Sequence, residues 1–564
     1  MSNEDKSVDN LVSVNIDGKD YDVPTGITMI EAAAIAGKEI PHFCYHPKLS
    51  VSGNCRMCLV EMGMPMRDRG TGEPVLDDDG KQKIGWMPKP GIACNSKTAP
   101  GFHIKTDTEI VREGRKAIME FLLVNHPLDC PICDQAGECT LQEHSSEYGR
   151  GYSRFIEHKN VKPKRTKLGP RVTLDDERCI LCSRCVRFSK EVANDDVLGF
   201  IDRGSYSTLT CYPGKDLRNN YSLNTVDICP VGALTGSDFR FNMRVWFLKQ
   251  TKSICTESSS GANTVVWSRE GKIYRITPRR NDEVNDTWMT DSGRMIFKQV
   301  EEKRLSNYEI EGETVSSDAA ISKVSELLKD KKVGMVVSAQ SSVEEQFVLN
   351  ELKASLNANV FMKQHTADED GILLTADRTP NLRGALVTGL TDSYPEKDWG
   401  KLKQSIQSGD IETLLVFNEN LFDQGFVKED LDKVNVVYCG THENRLSKVA
   451  KVNAPLLMVF EKDGTFINQQ FRLQKFNQAV PGEKDVLNDL TLINQLQIAV
   501  TGESESRICN TSVWNKISQT IDSLSGISFN EISEEGVSIS GKAFAELGFV
   551  EEKTLKFDKT KFQF

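Results

Sequence analysis

Residues 179–185, Cys-Ile-Leu-Cys-Ser-Arg-Cys, place a cysteine at every third position. One short loop can therefore present three thiolates to a single metal centre, which is how three corners of a [4Fe–4S] cube are held. Zinc sites use pairs of cysteines and rarely this triple spacing. The stretch predicts an iron–sulfur domain whose fourth ligand lies elsewhere in the chain.

The fourth ligand of this group has to come from a distant position. A bacterial ferredoxin has its next cysteine four positions after the third, but position 189 is Ser. Cys211 and Cys229 compete for the role. We favour Cys229, because the dipeptide that it forms with Pro230 is the ferredoxin ending. The predicted ligands of this [4Fe–4S] cluster are Cys179, Cys182, Cys185 and Cys229.

A second group has the spacing H-x3-C-x2-C-x5-C. Its histidine immediately precedes three cysteines that otherwise lack a fourth ligand, and a [4Fe–4S] cube needs four. A neutral imidazole in place of a thiolate makes the assembly one unit less negative, which alone would raise the reduction potential. A zinc ion held by the same side chains is the alternative. The predicted ligands are His126, Cys130, Cys133 and Cys139.

The remaining group has the spacing C-x10-C-x2-C-x35-C. Residues 11–23 before it alternate apolar and polar side chains around Asp17-Gly18, a dipeptide that favours a tight hairpin turn. Thr28 and Glu31 then form a capping box at the start of a helix. A hairpin, a helix and a cysteine-rich loop begin a plant-type ferredoxin, so we prefer a [2Fe–2S] cluster to a Zn(Cys)4 site. The predicted ligands are Cys44, Cys55, Cys58 and Cys94.

Three segments between these groups carry weaker signals. Residues 62–90 are rich in Gly, Pro and Asp, which predicts a loop insertion. Residues 109–125 space their apolar side chains as a helix does, and the following His-Pro dipeptide ends that helix. Residues 154–171 form a basic run, which is either a solvated linker or a docking patch for an acidic partner.

From about residue 310 onward the pattern changes to an α/β one. Apolar runs predict strands, and longer amphipathic runs predict helices between them. Such alternation favours an α/β domain with a mostly parallel sheet. The predicted strands are Val333–Val337, Thr413–Phe417, Asn435–Tyr438 and Leu456–Phe460, and the predicted helices are Val343–Leu356 and Leu487–Val500.

Composition narrows the class of protein. The 564 residues are 38% hydrophobic and 27% charged, which is ordinary for a chain that forms packed cores. No stretch approaches the roughly 20 consecutive apolar residues of a membrane span, and the first residues lack the apolar core of a secretory signal. The net charge of −11 gives no support to nucleic-acid binding. Fifteen cysteines in a long chain favour metal binding in a reducing compartment over a disulfide framework.

Three segments closely resemble one known family: HFCYHPKLS at 42–50, NHPLDCPICD at 125–134 and CPVGALT at 229–235. The family is the G subunit of bacterial NADH-quinone oxidoreductase, respiratory complex I. A weaker resemblance continues into the C-terminal half, where NLRGA at 381–385 and EKDGT at 461–465 are similar to molybdopterin-oxidoreductase segments. All twelve ligand positions of the three family clusters are filled.

The resemblance implies a multidomain α+β and α/β chain. It would comprise an N-terminal plant-type ferredoxin-like β-grasp, ferredoxin-like [4Fe–4S] domains and a molybdopterin-oxidoreductase-like α/β region. The implied domains are a [2Fe–2S] domain at 10–108, a His(Cys)3-ligated [4Fe–4S] domain at 109–148, a ferredoxin-like [4Fe–4S] domain at 149–247, a degenerate molybdoenzyme-type 4Fe–4S domain at 248–305 and the α/β domain at 306–564.

The chain departs from the family pattern after residue 250. Some members carry a further [4Fe–4S] cluster with the spacing C-x2-C-x3-C-x27-C. Counting from Cys255, the corresponding residues here are Ser258, Ala262 and Thr290. Hydroxyl groups are poor substitutes for thiolates at neutral pH, so we expect no fourth cluster. The C-terminal domain shows no candidate molybdenum ligand, so we also expect no molybdenum. We interpret the remaining cysteines as free buried thiols: Cys211, Cys255, Cys439 and Cys509.

The function that the resemblance implies is a one-electron wire within an NADH:quinone oxidoreductase, a translocase. Electrons would arrive from the NADH/FMN-binding subunit and pass from the [2Fe–2S] cluster to the Cys179 group, then the His126 group, then towards quinone. We expect no catalytic residue and no FMN on this chain, other iron–sulfur subunits as partners, no nucleic acid, and membrane contact only through membrane-arm subunits, on the cytoplasmic side of the bacterial inner membrane. The alternatives are an iron–sulfur subunit of an NAD-linked formate dehydrogenase or hydrogenase, and a structural zinc protein.

Overall fold

The computed structural model describes residues 11–393, 399–502 and 508–552. It divides into two compact units, with the boundary in the chain between Trp246 and Phe247. The N-terminal unit holds all three predicted ligand groups, and the C-terminal unit holds the predicted α/β domain. In the described part of the chain, none of the helices is both long and apolar enough to cross a membrane.

The N-terminal unit begins with a six-stranded sheet in the order β2-β1-β6-β3-β4, with β5 paired to β3. Strands β1 and β2 form the predicted hairpin, and its turn residues Asp17 and Gly18 have φ of 52° and 85°, the positive values that a tight hairpin turn requires. The Thr28–Glu31 capping box is present at the start of α1. The elements are β1 Leu11–Ile16, β2 Lys19–Pro24, α1 Met29–Ile35, β3 Leu59–Pro65, β4 Ile84–Trp86, β5 Gly91–Ile92 and β6 Phe102–Lys105.

The prediction of a loop insertion at 62–90 is wrong. Strand β3 runs to Pro65 and pairs antiparallel with β4, so both ends of the segment belong to the sheet. Isolated bridges, such as Leu76 to Gln82, continue the pairing beyond the strands. The Gly and Asp residues form turns instead of an open loop: the Lys81 amide donates to the Asp77 carboxylate at 2.9 Å, and Gly80 has φ of 75°.

The rest of the N-terminal unit consists of short helices and two small sheets, in the orders β11-β8-β7 and β10-β9. The helix predicted at 109–125 is confirmed as α2, which starts at its Thr108 cap and ends two residues before the prediction. The elements are α2 Glu109–Leu123, α3 Thr140–Tyr148, β7 Thr166–Lys167, β8 Val172–Leu174, α4 Arg184–Glu191, β9 Leu198–Ile201, β10 Thr208–Cys211, α5 Asn224–Asp227 and β11 Leu234–Gly236.

The C-terminal unit opens with an antiparallel three-stranded sheet in the order β12-β13-β14. A short helix and a strand pair then lead into the α/β domain. The elements of this first part are β12 Lys249–Ile254, β13 Asn263–Arg269, β14 Lys272–Pro278, α6 Asp291–Met295, β15 Tyr308–Ile310, β16 Glu313–Val315 and α7 Ser317–Leu328.

The α/β domain is built on a seven-stranded sheet in the order β16-β15-β21-β20-β19-β17-β18, in which the strands from β21 to β18 are parallel. This confirms the predicted α/β architecture. A smaller sheet has the order β22-β23-β24. The elements are β17 Val333–Val337, α8 Val343–Leu356, β18 Asn359–Met362, α9 Leu382–Val387, α10 Gly400–Gln407, β19 Thr413–Phe417, α11 Lys428–Leu431, β20 Asn435–Gly440, β21 Val452–Pro455, β22 Gly464–Ile467, β23 Arg472–Phe476, α12 Asp489–Thr501, α13 Asn510–Thr520 and β24 Val537–Ser538.

One predicted strand of this domain is wrong. The strand lies at Val452–Pro455, and the apolar run Leu456–Phe460 is the loop that follows it. Within that loop the Glu461 amide donates to the Met458 carbonyl at 2.9 Å and forms a turn. The loop is almost entirely buried, so its composition is that of a core strand although its backbone is not.

Candidate metal centres

The predicted [2Fe–2S] group lies in the loop between α1 and β3 and in the turn after β5. Its thiols form two hydrogen-bonded pairs, Cys44 with Cys55 and Cys58 with Cys94. The hydrogen bond from Cys55 lowers the pKa of Cys44 to about 5, and negative charge on Cys44 contributes to raising the pKa of Cys94. The four sulfurs therefore act on one another electrostatically, as ligands of one centre would.

Backbone geometry explains how that loop turns its cysteines inward. Arg56, between Cys55 and Cys58, has φ of 61°, which non-glycine residues adopt uncommonly. The left-handed residue reverses the chain within the C-x2-C spacing. Cys44, Cys58 and Cys94 are fully buried among the core residues of the β-grasp sheet, so water has little access to these thiols.

The Cys179 group is gathered around one small cavity, which all four of its cysteines line. Leu181 and Ser183 have φ of 55° and 60°, so left-handed residues alternate with the cysteines and coil the loop around a common point. Apolar side chains, including Phe200 and Leu209, complete the walls. Burial raises the pKa of the Cys229 thiol to about 12. Cys211 does not line this cavity, and its sulfur donates to the Leu168 carbonyl at 3.3 Å.

The His126 group lies where α2 ends and α3 begins. Cys130, Cys133 and Cys139 act on one another electrostatically, and His126 lines the same groove of about 1010 Å³ as Cys130 and Cys139. Burial, and then the positive charges of Arg178 and Lys159, lower the pKa of His126 to about 4. The imidazole is therefore neutral at pH 7, the form in which histidine binds metals.

The described residues include no three His, Cys, Asp or Glu side chains already at coordination distances from a common point. In the first group the four thiols are free, and they influence the pKa values of one another in pairs. The donor types nevertheless fit the predicted groups, because thiols and one neutral imidazole are the ligands that iron–sulfur clusters use. Cys130 is exposed, and Cys133 does not line the groove that His126 shares with Cys130 and Cys139.

The His126 group and the Cys179 group contact each other through Pro230 and through Gly232, a residue that the sequence analysis did not single out. The Cys139 sulfur lies 3.9 Å from the Pro230 carbonyl oxygen, so the His126 group touches the loop that carries Cys229. In the same loop, a Cβ on Gly232 would lie 2.1 Å from the Cys133 sulfur, so only glycine fits there. The Gly in the Cys-Pro-Val-Gly run was the available signal.

Five family models match separate stretches of the chain. In chain order they are a "2Fe-2S iron-sulfur cluster binding domain" at 9–78, the "NADH-ubiquinone oxidoreductase-G iron-sulfur binding region" at 115–154, the "NADH-quinone oxidoreductase subunit 3, ferredoxin-like domain" at 169–235, the "NADH-ubiquinone oxidoreductase NDSU1/NuoG-like, 4Fe-4S domain" at 248–298 and "Molybdopterin oxidoreductase" at 324–497. They confirm the predicted fold class and show that the chain carries domains of both iron–sulfur types.

Curated relatives also include iron–sulfur subunits of NADH dehydrogenases. The G subunit of the NADH-quinone oxidoreductase of Rickettsia conorii is 38% identical over 357 residues, which is 62% of this chain and 50% of that protein. Over that stretch the chain is similar to this G subunit. The mitochondrial NADH dehydrogenase [ubiquinone] iron-sulfur protein 1 of Solanum tuberosum is also 38% identical, over 62% of this chain and 46% of that protein. The chain thus spans about half the length of the curated relatives it matches.

A solved structure is also similar to part of this chain. A chain in the crystal structure of an NAD+-reducing [NiFe]-hydrogenase in the H2-reduced state is 26% identical. The match covers 42% of this chain and 91% of that chain, with a TM-score of 0.32.

Three lysines of the basic run at 154–171 make contacts within the chain. Lys162 lies 3.4 Å from the buried Asp176 carboxylate, and Lys164 lies 2.8 Å from Glu177. Lys167 donates to the hydroxyl groups of Thr173 and Ser237. These lysines therefore connect the run to the Cys179 domain, although Lys164, Arg165 and Lys167 are exposed. The choice between a solvated linker and a docking patch stays a prediction.

The positions corresponding to a fourth cluster are closed by hydrogen bonds. Thr290 donates to Glu257 at 2.5 Å and caps α6 by accepting from the Gly293 amide at 3.1 Å. The hydroxyls of Ser258 and Ser260 lie 2.9 Å apart. The absence of this cluster stays a prediction.

The four residual cysteines differ in exposure. Cys255 and Cys439 are buried and Cys211 is half-buried, but Cys509 is exposed at the start of α13. The prediction of a buried thiol is therefore wrong for Cys509.

Proposed function

We propose that this chain is an iron–sulfur electron-transfer subunit of an NADH:quinone oxidoreductase. The observation that carries the proposal is the mutual contact of three sulfur-rich groups in one compact unit. The Cys179 group touches the His126 group through Pro230 and Gly232, and it touches the [2Fe–2S] loop through α4. An electron carrier needs this continuity, whereas three independent structural zinc sites do not.

The predicted ligands would hold one [2Fe–2S] and two [4Fe–4S] clusters. Cys44, Cys55, Cys58 and Cys94 would hold the first, and the two groups that begin with His126 and Cys179 would each hold one cube. When bound, such clusters accept and release single electrons. The protein's own part is to fix their separation, exclude water and set the surrounding charge.

The similarity to subunits of NADH-quinone oxidoreductases supports a role in a larger complex. Electrons would enter from an NADH/FMN-binding subunit at the [2Fe–2S] cluster, pass through the Cys179 cube to the His126 cube, and leave for other iron–sulfur subunits nearer the quinone. Other subunits would carry out ion translocation, and the complex would sit on the cytoplasmic side of a bacterial inner membrane. The five-domain division stays part of this proposal.

Elemental analysis of the anaerobically purified chain, with acid-labile sulfide, tests the proposal. Three clusters predict about ten iron atoms per chain and negligible zinc and molybdenum. About fourteen would indicate a fourth cluster, and molybdenum would favour a formate dehydrogenase. Zinc without sulfide would leave only a structural role for the cysteines.

A further inference from the structure

Arg187 lies between the two ligand groups that the proposed function places first in the electron path. The residue belongs to α4, directly after the Cys179–Cys185 loop. One of its terminal nitrogens, Nη2, donates to the Cys44 carbonyl at 2.5 Å and to the Cys182 carbonyl at 3.3 Å. A single guanidinium group thus joins the backbone of a predicted [2Fe–2S] ligand to that of a predicted [4Fe–4S] ligand.

The other nitrogens of Arg187 fix the guanidinium in that position. Its Nη1 donates to the Ser50 carbonyl, and its Nε donates to the Ser183 hydroxyl at 3.2 Å. The bonds to Ser50 and Cys44 span 137 and 143 residues of sequence, so they join two distant loops. A planar guanidinium with fixed donor directions holds such a geometry better than a flexible ammonium group.

Neighbouring contacts dock the same helix on the same loop. Glu191 accepts from the Ser50 amide at 2.9 Å, and Arg184 donates to the carbonyls of Tyr45 and Ile228. Among these residues, Arg187 is the one whose side chain bonds to a predicted ligand of each group. The contact is therefore specific to the path between the two sites and is more than general domain packing.

We propose that Arg187 is a positioning residue that fixes the separation of these two clusters and raises the reduction potential of both. The inference rests on the proposed function. Guanidinium stays protonated at any pH that a folded protein tolerates. An added electron makes a cluster more negative, so a fixed, half-buried positive charge beside it favours the reduced state. The Arg187 guanidinium lies beside both ligand groups, so its charge shifts both reduction potentials in the same direction.

The test uses the purified full chain with its clusters and compares Arg187→Met and Arg187→Lys with Arg218→Met. Arg218 is the control because its side chain is 70% exposed and pairs with Asp216. Redox titration followed by EPR should show both potentials lowered in Arg187→Met, each by at least tenfold in the reduction equilibrium, or about 59 mV for one electron. The His126 signal and the Arg218→Met protein should match wild type. Unshifted potentials, or equal shifts of all three signals, would overturn the proposal.

The lysine variant covers the case in which Arg187→Met loses iron. It keeps the charge but loses the planar group whose Nη1 and Nε bonds to Ser50 and Ser183 fix the position of Nη2. The spin–spin interaction between the two reduced clusters should therefore weaken while their potentials stay close to wild type. An unchanged interaction would overturn the positioning role. Failure of the proposed function is distinguishable, because the wild-type chain would then lack the [2Fe–2S] signal altogether.

Discussion

The Cys179 group and the corresponding positions after residue 250 have opposite local chemistry. In the first, four thiols line a common cavity with apolar walls. In the second, Cys255 is buried, but a Cβ on Gly293 would lie 2.7 Å from its sulfur and also from the Thr290 hydroxyl. The backbone of α6 thus fills the place beside the one remaining thiol.

The difference supports the prediction that the second region holds no cluster, because hydrogen-bonded hydroxyl groups stand at positions that would have to supply ligands. The stretch 248–298 matches a model described as a 4Fe–4S domain, yet its hydroxyl groups bond to one another and to Glu257. A hydroxyl that already has a partner stabilises the loop without metal. We therefore base the expected number of clusters on where thiols lie together and not on the domain match alone.

The largest expected effect tests whether the Cys179 group holds a cluster and the region after residue 250 does not. Cys182→Ser should remove one [4Fe–4S] cluster and lower the iron content by about four atoms per chain, because a cube needs four good ligands. Cys255→Ser is the matched control in the C-terminal unit and should leave the iron content unchanged. Iron and sulfide analysis with EPR measures both. Loss of iron in Cys255→Ser would show that the second region also holds a cluster.

A smaller effect is expected from a substitution at Gly232, where the loop that carries Cys229 meets the His126 group. Gly232→Ala places a methyl group 2.1 Å from where the Cys133 sulfur now lies. Such overpacking costs about 1–3 kcal/mol, and it should weaken or alter the EPR signal of the His126 cluster. Gly236→Ala is the control, since its added methyl would meet Leu223 at an ordinary 3.4 Å. Equal behaviour of the two variants in thermal unfolding and EPR would contradict this description.

The sequence predictions that succeeded depend on patterns of a few neighbouring residues. The Asp17-Gly18 turn and the Thr28–Glu31 capping box each depend on a few adjacent residues, and the structure contains both. The segment 62–90 was misjudged because Gly, Pro and Asp serve hairpin turns and open loops equally well. The loop Leu456–Phe460 was misjudged because burial alone explains its apolar composition.

Features that depend on distant contacts could not be predicted. Arg187 is one of several arginines beside the cysteine motif, and nothing local shows that it reaches Cys44, 143 residues away. Gly232 is likewise inconspicuous until Cys133 is placed against it. The sequence therefore indicates which residues form each ligand group, but the structure is needed to show what joins the groups.

The smallest expected effect concerns the hydrogen bonds that closed the second region. Thr290→Ala removes both the cap of α6 and the bond to Glu257, and the loss of such a cap costs about 1 kcal/mol. Thr290→Ser keeps a hydroxyl at the same position and should restore most of that stability. Thermal unfolding measures the difference, with iron content as the second readout. If Thr290→Ala leaves stability unchanged and lowers the iron content instead, the hydroxyl acts as a ligand, and the contrast between the two regions fails.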